Sequence, residues 1–221
     1  MHFEGGLKVL EFDLLKQAVI STENPLDGRA REWAQTVFKT WHYAHSVPSG
    51  KTHYIFHKPV FFAFSIPANN NISKFLIGEP NRVWELSRMW ANDGHEKNAL
   101  TKAMKKAVST FQELEPDVWA LVSYADPNVG HEGGVYKAAS WVATGQSEEG
   151  RYYRSPDGQV VSRRKFHSGG THLKKAEIIG RGFEEVKLPG KIRFAKGLTR
   201  GARKRLQRFA VNTQHREPSD D

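Results

Sequence analysis

Four side chains with acid, base or ligand chemistry lie in or just after loops that follow apolar segments. The run LVSYADPNVGHEGGVYKAASWVATG (121–145) carries Asp126 directly after a strand-like segment and Tyr136 one turn into a helix-like one. His42 and Tyr43 follow a helix-like segment in WHYAHSVPSGK (41–51). Carboxylate, phenol and imidazole are groups that proteins use to move protons or to hold a metal ion.

Each of these residues also has an ordinary structural interpretation. Asp126 can cap a turn, and His131 can lie beside the start of the next helix. Tyr136 fits a core position of an amphipathic helix, and packing against an apolar helical face explains His42 and Tyr43 equally well. The residue types leave both interpretations open, so the choice depends on how the fold arranges them.

The elements that must position these residues alternate between strand-like and helix-like patterns, which predicts a mixed α/β sheet. The predicted strands are HYIFH, KPVFFAFSI, RVWELSRMW and DVWALVSY, with a hairpin in RYYRSPDGQVVSRRKF. The predicted helices are the segment that ends near WHYAHSVPSGK, then NALTKAMKKAVSTFQEL with Asn98 as its cap, GGVYKAASWVA, and KGLTRGARKRLQR.

Two strand-to-helix connections, MWANDGHEKNAL and YADPNVGHEGGV, lie side by side if their strands are parallel neighbours. Ligands of open α/β sheets bind beyond the carboxyl ends of such strands, where helix N-termini offer unpaired amides. Asp126 would then lie at the ligand-binding edge of the sheet.

Composition limits the class of protein. The 221 residues include no cysteine, which excludes disulfides and thiolate zinc sites, and we expect a cytoplasmic protein without a signal peptide or a membrane span.

The net charge is +9 at pH 7, and the excess of cations lies between Arg151 and Arg208. Such a cluster can neutralise phosphates or can be an ordinary solvated surface. The candidate phosphate contacts are Arg163–Lys165, Lys174, Lys175 and the segment KGLTRGARKRLQR, in particular Arg203, Lys204 and Arg205.

Five segments taken together, in chain order, resemble one family. They are WHYAHSVPSGK, VFFAFSIPANNN, VWELSRMWANDGHEKNAL, LVSYADPNVGHEGGVYKAASWVATG and LPGKIRFAK. Over about residues 38 to 196 the chain resembles the Mom family of bacteriophage DNA-modification proteins, a divergent branch of the GCN5-related N-acetyltransferase (GNAT) fold.

The resemblance implies transfer of an acetyl-CoA-derived group, methylcarbamoyl or acetamido in type, to the N6 amine of adenine in duplex DNA, which protects phage DNA from host restriction enzymes. It implies a single GNAT-like domain over 1–195, with a mostly antiparallel sheet and helices on both faces. A basic segment and a disordered acidic tail would follow over 196–221. The expected partners are double-stranded DNA and acyl-CoA, with no membrane, and a homodimer is left open.

The resemblance carries the family's site residues onto six positions. These are His42 and Tyr43, Asp126 and Tyr136 as catalytic residues, and Arg88 and Thr101 toward the cofactor. Thr101 stands where the family has a serine, and it retains the hydroxyl. It also implies iron, for which His42, Tyr43 and Asp126 offer suitable ligands, although neighbours on a regular helix diverge and would meet one metal only at a helix end. In the iron-free alternative, Asp126 orients or deprotonates the amine and Tyr136 protonates the departing thiolate.

One segment departs from the GNAT pattern. Typical members place a glycine-rich loop before the central helix, whereas this chain has GHEKNALT, so the amides from Asn98 to Thr101 would have to hold the pyrophosphate. The alternatives are therefore an acetyltransferase for a small amine or a protein lysine, and a nucleic-acid-binding protein without catalysis.

Overall fold

The structure is a computed structural model that describes residues 17–21, 28–91, 94–168 and 171–214, within which there are twelve strands and six α-helices. The strands are β1 (Gln17–Ser21), β2 (Thr52–His57), β3 (Val60–Ser65), β4 (Val83–Ala91), β5 (Ala120–Ala125), β6 (Val142–Gln146), β7 (Gly150–Arg154), β8 (Val160–Ser162), β9 (His167–Ser168), β10 (Thr171–His172), β11 (Glu184–Leu188) and β12 (Ile192–Gly197). The helices are α1 (Gly28–Thr40), α2 (Ile72–Ile77), α3 (Ala99–Leu114), α4 (Gly134–Ala138), α5 (Lys175–Gly180) and α6 (Arg200–Gln214).

The central sheet has seven strands in the order β1-β2-β3-β4-β5-β12-β6. Every neighbouring pair in it is antiparallel except β4 and β5, which are parallel. The four predicted strands and the predicted hairpin, formed by β7 and β8, are present. The expected mixed, mostly antiparallel sheet of a GNAT-like fold is therefore confirmed, as is the parallel neighbourhood of β4 and β5.

β4 and β5 pair only near their starts, from Val83 opposite Ala120 to Glu85 opposite Val122. β4 also bulges on its other side, because Ala63 of β3 pairs with Arg88 whereas Phe64 pairs with Leu86. The extra residue, Ser87, bends the strand, as bulges do. The downstream halves of β4 and β5 are therefore not paired with each other, and their ends lead into the two loops that carry the candidate residues.

Helices cover both faces of the sheet, because side chains alternate along each strand. On one face, α3 buries Met104 and Phe111 against Phe62 and Phe64 of β3. On the other face, α1 packs Phe38 against Phe61. The same face carries α2 and α6, whose contacts include the buried residues Leu76, Ala202 and Leu206. Removing that much apolar surface from water is the main source of the fold's stability.

A three-stranded sheet, β11-β7-β8, and helix α5 form an insertion between β6 and β12. It has its own small core, in which Phe166 makes edge-to-face contacts with Tyr153 and Phe183, and Ile178 is fully buried. The chain then returns to the central sheet through β12. The expected boundary between the catalytic domain (1–195) and the basic C-terminal segment (196–221) falls inside β12. The division of the chain into these two parts stays a prediction.

Two local expectations were wrong. The helix predicted over GGVYKAASWVA ends at Ala138, and Ser140 takes a positive φ of 59° before β6 begins at Val142. Asn98 lies at the cap position of α3, but it adopts a left-handed conformation and its side chain makes no capping hydrogen bond. The expected C-terminal tail, residues 215–221, lies outside the described residues. Of the helices described, none combines the length and the apolar character needed to cross a bilayer.

Candidate active site

Asp126 directly follows β5 and is buried, with only 7% of its surface exposed. One carboxylate oxygen accepts hydrogen bonds from the backbone N–H (3.1 Å) and the side-chain amide (2.9 Å) of Asn128. Asp126 therefore caps the turn that follows β5, as one of its two interpretations predicted. The second oxygen lies 3.0 Å from the ammonium of Lys191, so the capping carboxylate also belongs to a partly buried ion pair.

The Lys191 side chain comes from the residue immediately before β12 and is one that sequence reasoning did not place in the site. Burial alone would raise the pKa of Asp126, but the hydrogen bond and charge of Lys191 and the hydrogen bonds from Asn128 outweigh it and lower that pKa. The pKa of Lys191 is raised: burial opposes this, but the hydrogen bond to Asp126 prevails. Both groups are therefore charged at neutral pH.

Gly190 allows the segment that carries Lys191 to pass close to the backbone of Ser147. A Cβ there would lie 1.8 Å from the carbonyl oxygen of Ser147, so no other residue fits without moving the backbone. The amide of Asn128 also donates to the carbonyl of Pro189 (3.0 Å), which ties the loop after β5 to the segment before β12. The tie holds Lys191 beside Asp126.

His42 and Tyr43 lie in the turn after α1, as the helix-end requirement predicted. Tyr43 is 42% exposed and its ring stacks on His42 at 4.4 Å, with His131 at 5.3 Å on a tilted approach. Burial raises the pKa of Tyr43, and the Asp126 charge adds to this whereas Lys191 opposes it. The Tyr43 phenol is therefore near enough to Asp126 and Lys191 for the charges of both to act on it.

His42 itself is buried and uncharged. Its Nδ1 accepts a hydrogen bond from the backbone N–H of Ala44 at 3.1 Å, so the proton of the neutral ring is on Nε2. Burial, followed by the positive charge of Arg88, lowers the pKa of His42 to about 4. The ring supports Tyr43 and does not act as a base at neutral pH through the nitrogen that Ala44 occupies.

Arg88 anchors the loop that carries these residues. Its guanidinium donates to the carbonyl and the hydroxyl of Ser46 (3.1 and 3.0 Å) and to the carbonyl of Ser87 (2.6 Å). These bonds fasten the loop after α1 to the bulge of β4. Arg88 therefore positions His42 and Tyr43, and its predicted contact with a cofactor stays a prediction.

Tyr136 lies in α4 and is 8% exposed, packed beside Trp141 and Phe194. Tyr136 is therefore a core residue, as its position in an amphipathic helix predicted, but its hydroxyl also makes a hydrogen bond. Ser123 Oγ lies 2.7 Å from the carbonyl oxygen of Leu86 and 2.8 Å from the phenol oxygen. Because the carbonyl can only accept, the serine donates to Leu86 and the phenol donates to Ser123.

Burial raises the pKa of Tyr136 to about 12, so the phenol keeps its proton at neutral pH. The hydrogen bond through Ser123 to Leu86 places the hydroxyl between β4 and β5, where those strands no longer pair. Gly133 makes this position reachable, since it has a φ of +79° and a Cβ there would lie 2.2 Å from the Phe194 ring. The phenol is therefore held in the gap between the two parallel strands.

A profile of the Mom protein family matches residues 28–216, most of the chain. The chain belongs to the Mom protein family. A relative in this family, the methylcarbamoylase Mom of Escherichia phage Mu, is 23% identical over 189 residues, which cover 78% of this chain and 75% of that protein. The family resemblance noted from five sequence segments is thereby confirmed.

Solved structures that resemble this Mom family chain are more distant. The CoA-dependent acyl-homoserine lactone synthase MesI has a TM-score of 0.44 and 10% identity, covering 88% of this chain and 95% of its own. AAC(6')-Ib in complex with ribostamycin and coenzyme A has a TM-score of 0.35 and 10% identity, covering 76% and 69%. Both likenesses are remote, so the fold assignment rests on the chain's own sheet topology.

The residues proposed as iron ligands in this Mom protein do not fit a metal. A histidine that binds metal through Nε2 carries its proton on Nδ1, but Nδ1 of His42 faces an N–H donor. The ammonium of Lys191 occupies the free oxygen of Asp126, where a cation would bind. Among the described residues there is no group of three or more His, Cys, Asp or Glu side chains that could hold a metal ion. The expectation of iron at this site is therefore not supported.

Two of the three predicted cofactor residues of the Mom chain, Asn98 and Thr101, lie at the start of α3, whereas Arg88 lies in β4. Thr101 donates from its hydroxyl to the carbonyl of Asn98 at 2.9 Å, so that hydroxyl is used within the helix start. A cavity of about 500 Å³ lies along the same end of α3, where Ala99 lines it but Asn98 and Thr101 do not. Its lining has one acidic residue, Glu96, and six basic ones, His57, Lys58, His95, Lys97, Lys102 and Lys106. Cations and a helix N-terminus together favour an anionic group at this position.

The structure thus brings together Asp126, His42 and Tyr43, with Tyr136 buried behind them and Arg88 as the anchor of their loop. Asn98 and Thr101 lie apart, at the start of α3. Sequence reasoning missed Lys191 and Ser123. The segment LPGKIRFAK contains Lys191, but the sequence marks this residue only as one more basic charge, and Ser123 fits the pattern of an ordinary strand residue.

Proposed function

We propose that this Mom family protein is a transferase that attaches an acyl-CoA-derived group, of the methylcarbamoyl type, to the N6 amine of adenine in DNA, and that the modified base resists host restriction enzymes. The observation that carries the proposal is the cluster of Asp126, Lys191 and Tyr43 beside the gap between β4 and β5, with the Tyr136 phenol inside that gap. Membership of the Mom family supports the same chemistry.

Asp126 is the group that receives the amine. The lone pair of an exocyclic adenine amine is delocalised into the ring, which makes that nitrogen a poor nucleophile. An ionised, hydrogen-bonded carboxylate accepts a hydrogen bond from the amine and orients it. Because Lys191 lowers its pKa, Asp126 is a weak base, so orientation is its main contribution and full proton removal is not.

Tyr136 supplies a proton to the leaving group. When the amine attacks the thioester carbonyl, a C–N bond forms and the C–S bond breaks. The thiolate takes the Tyr136 proton, and the proton that the amine nitrogen loses returns to the phenolate, so the two transfers balance. A phenol with a pKa of about 12 is protonated at neutral pH and can donate its proton. Ser123 and the Leu86 carbonyl hold the hydroxyl in the gap between the strands, which would admit the thioester arm of the cofactor.

Two basic regions of the chain would hold the anionic parts of the substrates. The lysine-rich cavity at the start of α3 favours the phosphates of acyl-CoA. No acidic residue occurs between Lys191 and Arg208, a stretch that includes most of α6, and this favours the phosphates of DNA. A base inside a duplex cannot present its amine to a protein pocket, so the adenine would be extruded from the helix.

Mass spectrometry of nucleosides tests the proposal. DNA from cells that express the protein is digested and compared with DNA from cells that express Asp126→Asn. We expect a new adenine nucleoside with the wild-type protein only, and its mass increment identifies the transferred group. This matters because a methylcarbamoyl group contains a nitrogen that acetyl-CoA does not supply. If the DNA is unmodified and an acylated small amine or protein lysine is found, the proposal is wrong and the acetyltransferase alternative is correct.

A further inference from the structure

Trp41 is the exposed member of the six tryptophans in the chain, all of which lie within the described residues. It is 46% exposed, whereas Trp84 and Trp141 are buried and the other three are half-buried. An indole is a large apolar surface that proteins usually cover. Trp41 directly precedes His42 and Tyr43, so this uncovered ring is next to the candidate active site.

The exposed indole is held in a fixed position. The backbone N–H of Trp41 continues α1 by donating to the carbonyl of Val37 at 2.9 Å. Its ring stacks on that of Trp90 at 5.2 Å and an interplanar angle of 24°. Trp90 lies in β4 opposite Phe61 and packs against the core beneath α1. A ring immobilised in this way loses little conformational entropy when a ligand stacks on it.

The surroundings of this indole are basic. The side chains whose charges act on the adjacent His42 are Arg88, His131, His45 and Lys191. The Lys191 ammonium and the nearby Asp126 carboxylate pair and offset each other, so Arg88 supplies the net positive charge among these neighbours. A flat apolar ring in positive surroundings is complementary to a ligand that is both planar and anionic, and a nucleotide has both properties.

We infer that the exposed part of Trp41 stacks on an unpaired base of the DNA substrate, an inference that rests on the proposed function. The base is either the extruded adenine or the neighbour that its extrusion leaves without a partner, since both present the same planar surface. Stacking is tolerant of sequence because every base has a π-face. Trp41 would thus hold the strand while Asp126 holds the amine.

The test compares binding of two single-stranded oligonucleotides of equal length and charge, one with adenine bases and one with abasic sugars. Wild-type protein should bind the base-bearing oligonucleotide roughly 5- to 150-fold more tightly, the range expected for one stacked base. Trp41→Ala should lose that preference and leave binding of the abasic oligonucleotide unchanged. Trp41→Phe should retain most of the preference. Equal preference in wild type and Trp41→Ala would overturn the inference.

Leu114→Ala is the matched control, since Leu114 is a large apolar side chain of similar exposure (41%) at the end of α3. It should bind both oligonucleotides as the wild type does. Thermal melting of all variants identifies any loss of fold, and Trp41→Phe keeps the test valid if Trp41→Ala is unstable. This binding measurement does not require modification activity. The stacking inference and the proposed function can therefore fail separately.

Duplexes with a single abasic site identify the stacked base. One duplex lacks the adenine that becomes modified, and the other lacks its neighbour. The effect of Trp41→Ala should disappear with whichever duplex lacks the stacked base, because the ring then has nothing to contact. An unchanged effect with both duplexes would show that Trp41 acts on the fold or on the phosphates, which would contradict the inference.

Discussion

Lys191 and Asp126 face each other across two strand ends, with 3.0 Å between the ammonium and a carboxylate oxygen. Ile192 of β12 pairs with Ala125 of β5, and continuing that antiparallel register by one residue places Lys191 opposite Asp126. Cross-strand neighbours of opposite charge stabilise each other. The pair therefore follows from the pairing of the last long strand with the strand that precedes the candidate site.

Replacing Lys191 with Met should destabilise the fold at neutral pH by about 1–2 kcal/mol. Removing one partner leaves a buried carboxylate without its cation, and the loss is smaller than for a fully buried pair because the lysine side chain is 38% exposed. The folded-state pKa of Asp126 lies below its unfolded value, so the pair stabilises the protein above the ordinary aspartate pKa of about 3.9.

The stability difference between Lys191→Met and wild type should therefore shrink as the pH falls from that value through the folded-state pKa of Asp126. Denaturant unfolding across this acidic range measures it. Lys187→Met, which removes an exposed lysine of β11, is the control and should change stability little at any pH. A difference that is independent of pH would mean that Lys191 stabilises the fold by packing alone.

Asp126→Asn should abolish most of the adenine modification and leave DNA binding close to that of wild type. The amide keeps the shape of the side chain but removes the charge that receives the amine, and it leaves Lys191 without its ion-pair partner. Nucleoside mass spectrometry and a binding titration measure the two properties. Asp117→Asn serves as control because the Asp117 side chain is 91% exposed, and this variant should modify DNA normally.

Tyr136→Phe should reduce modification by about 100-fold or more, the usual contribution of a general acid. The phenyl ring still packs beside Trp141 and Phe194, and Ser123 still donates to the carbonyl of Leu86, so stability should fall by only about 1 kcal/mol. Single-turnover kinetics and thermal melting check these effects. Modification at the wild-type rate would remove Tyr136 from the reaction.

His42→Asn should flatten the pH dependence of stability between about pH 4 and 6.5. In the wild type the unfolded histidine binds a proton near pH 6.5, whereas the folded one binds it only near pH 4, so stability falls as the pH is lowered through this range. The loss amounts to about 3 kcal/mol at most. Asparagine can still accept from Ala44 but does not titrate. An equally steep profile in this variant would assign the effect to another group.

Lys204→Ala combined with Arg208→Ala should weaken DNA binding for all sequences and reduce its salt dependence by about two phosphate contacts. These exposed residues lie one turn apart on α6. Replacing Arg203 or Arg205 would change the fold as well as the charge, because Arg203 donates to Thr199 (3.3 Å) and the Arg205 guanidinium lies against Gly78. Lys204 and Arg208 are therefore the better choice for a test of charge alone. Binding titrations at several salt concentrations measure the slope. Lys105→Ala, an exposed change on α3, should leave it unchanged.

The phosphate contacts predicted in the insertion remain predictions. Arg163 and Lys174 are exposed there, and Lys175 pairs with Glu185. The side chains of Arg164 and Lys165 lie outside the described part of the chain. An ion pair within the protein reduces the charge that Lys175 can offer to DNA, so its contribution should be smaller than that of Lys174.

Local patterns were sufficient to predict most elements of the central sheet. Runs of aromatic and β-branched residues mark β2 and β3, and helical spacing marks α3, because these signals depend on residues close together in the chain. The end of α4 was missed, since Ser140 takes a left-handed conformation that serine rarely adopts and that no local pattern indicated. Nearest-neighbour patterns are insensitive to such tertiary constraints.

The sequence by itself determined that a carboxylate, two phenols and an imidazole lie near the ends of strands and helices of an α/β fold, and its motifs pointed to the Mom family. Only the tertiary structure decided what those groups do to one another. Lys191 lowers the pKa of Asp126, and Ala44 decides which nitrogen of His42 carries the proton. Such effects depend on distances of about 3 Å between atoms of separate strands and turns, and spacing along a chain does not specify them.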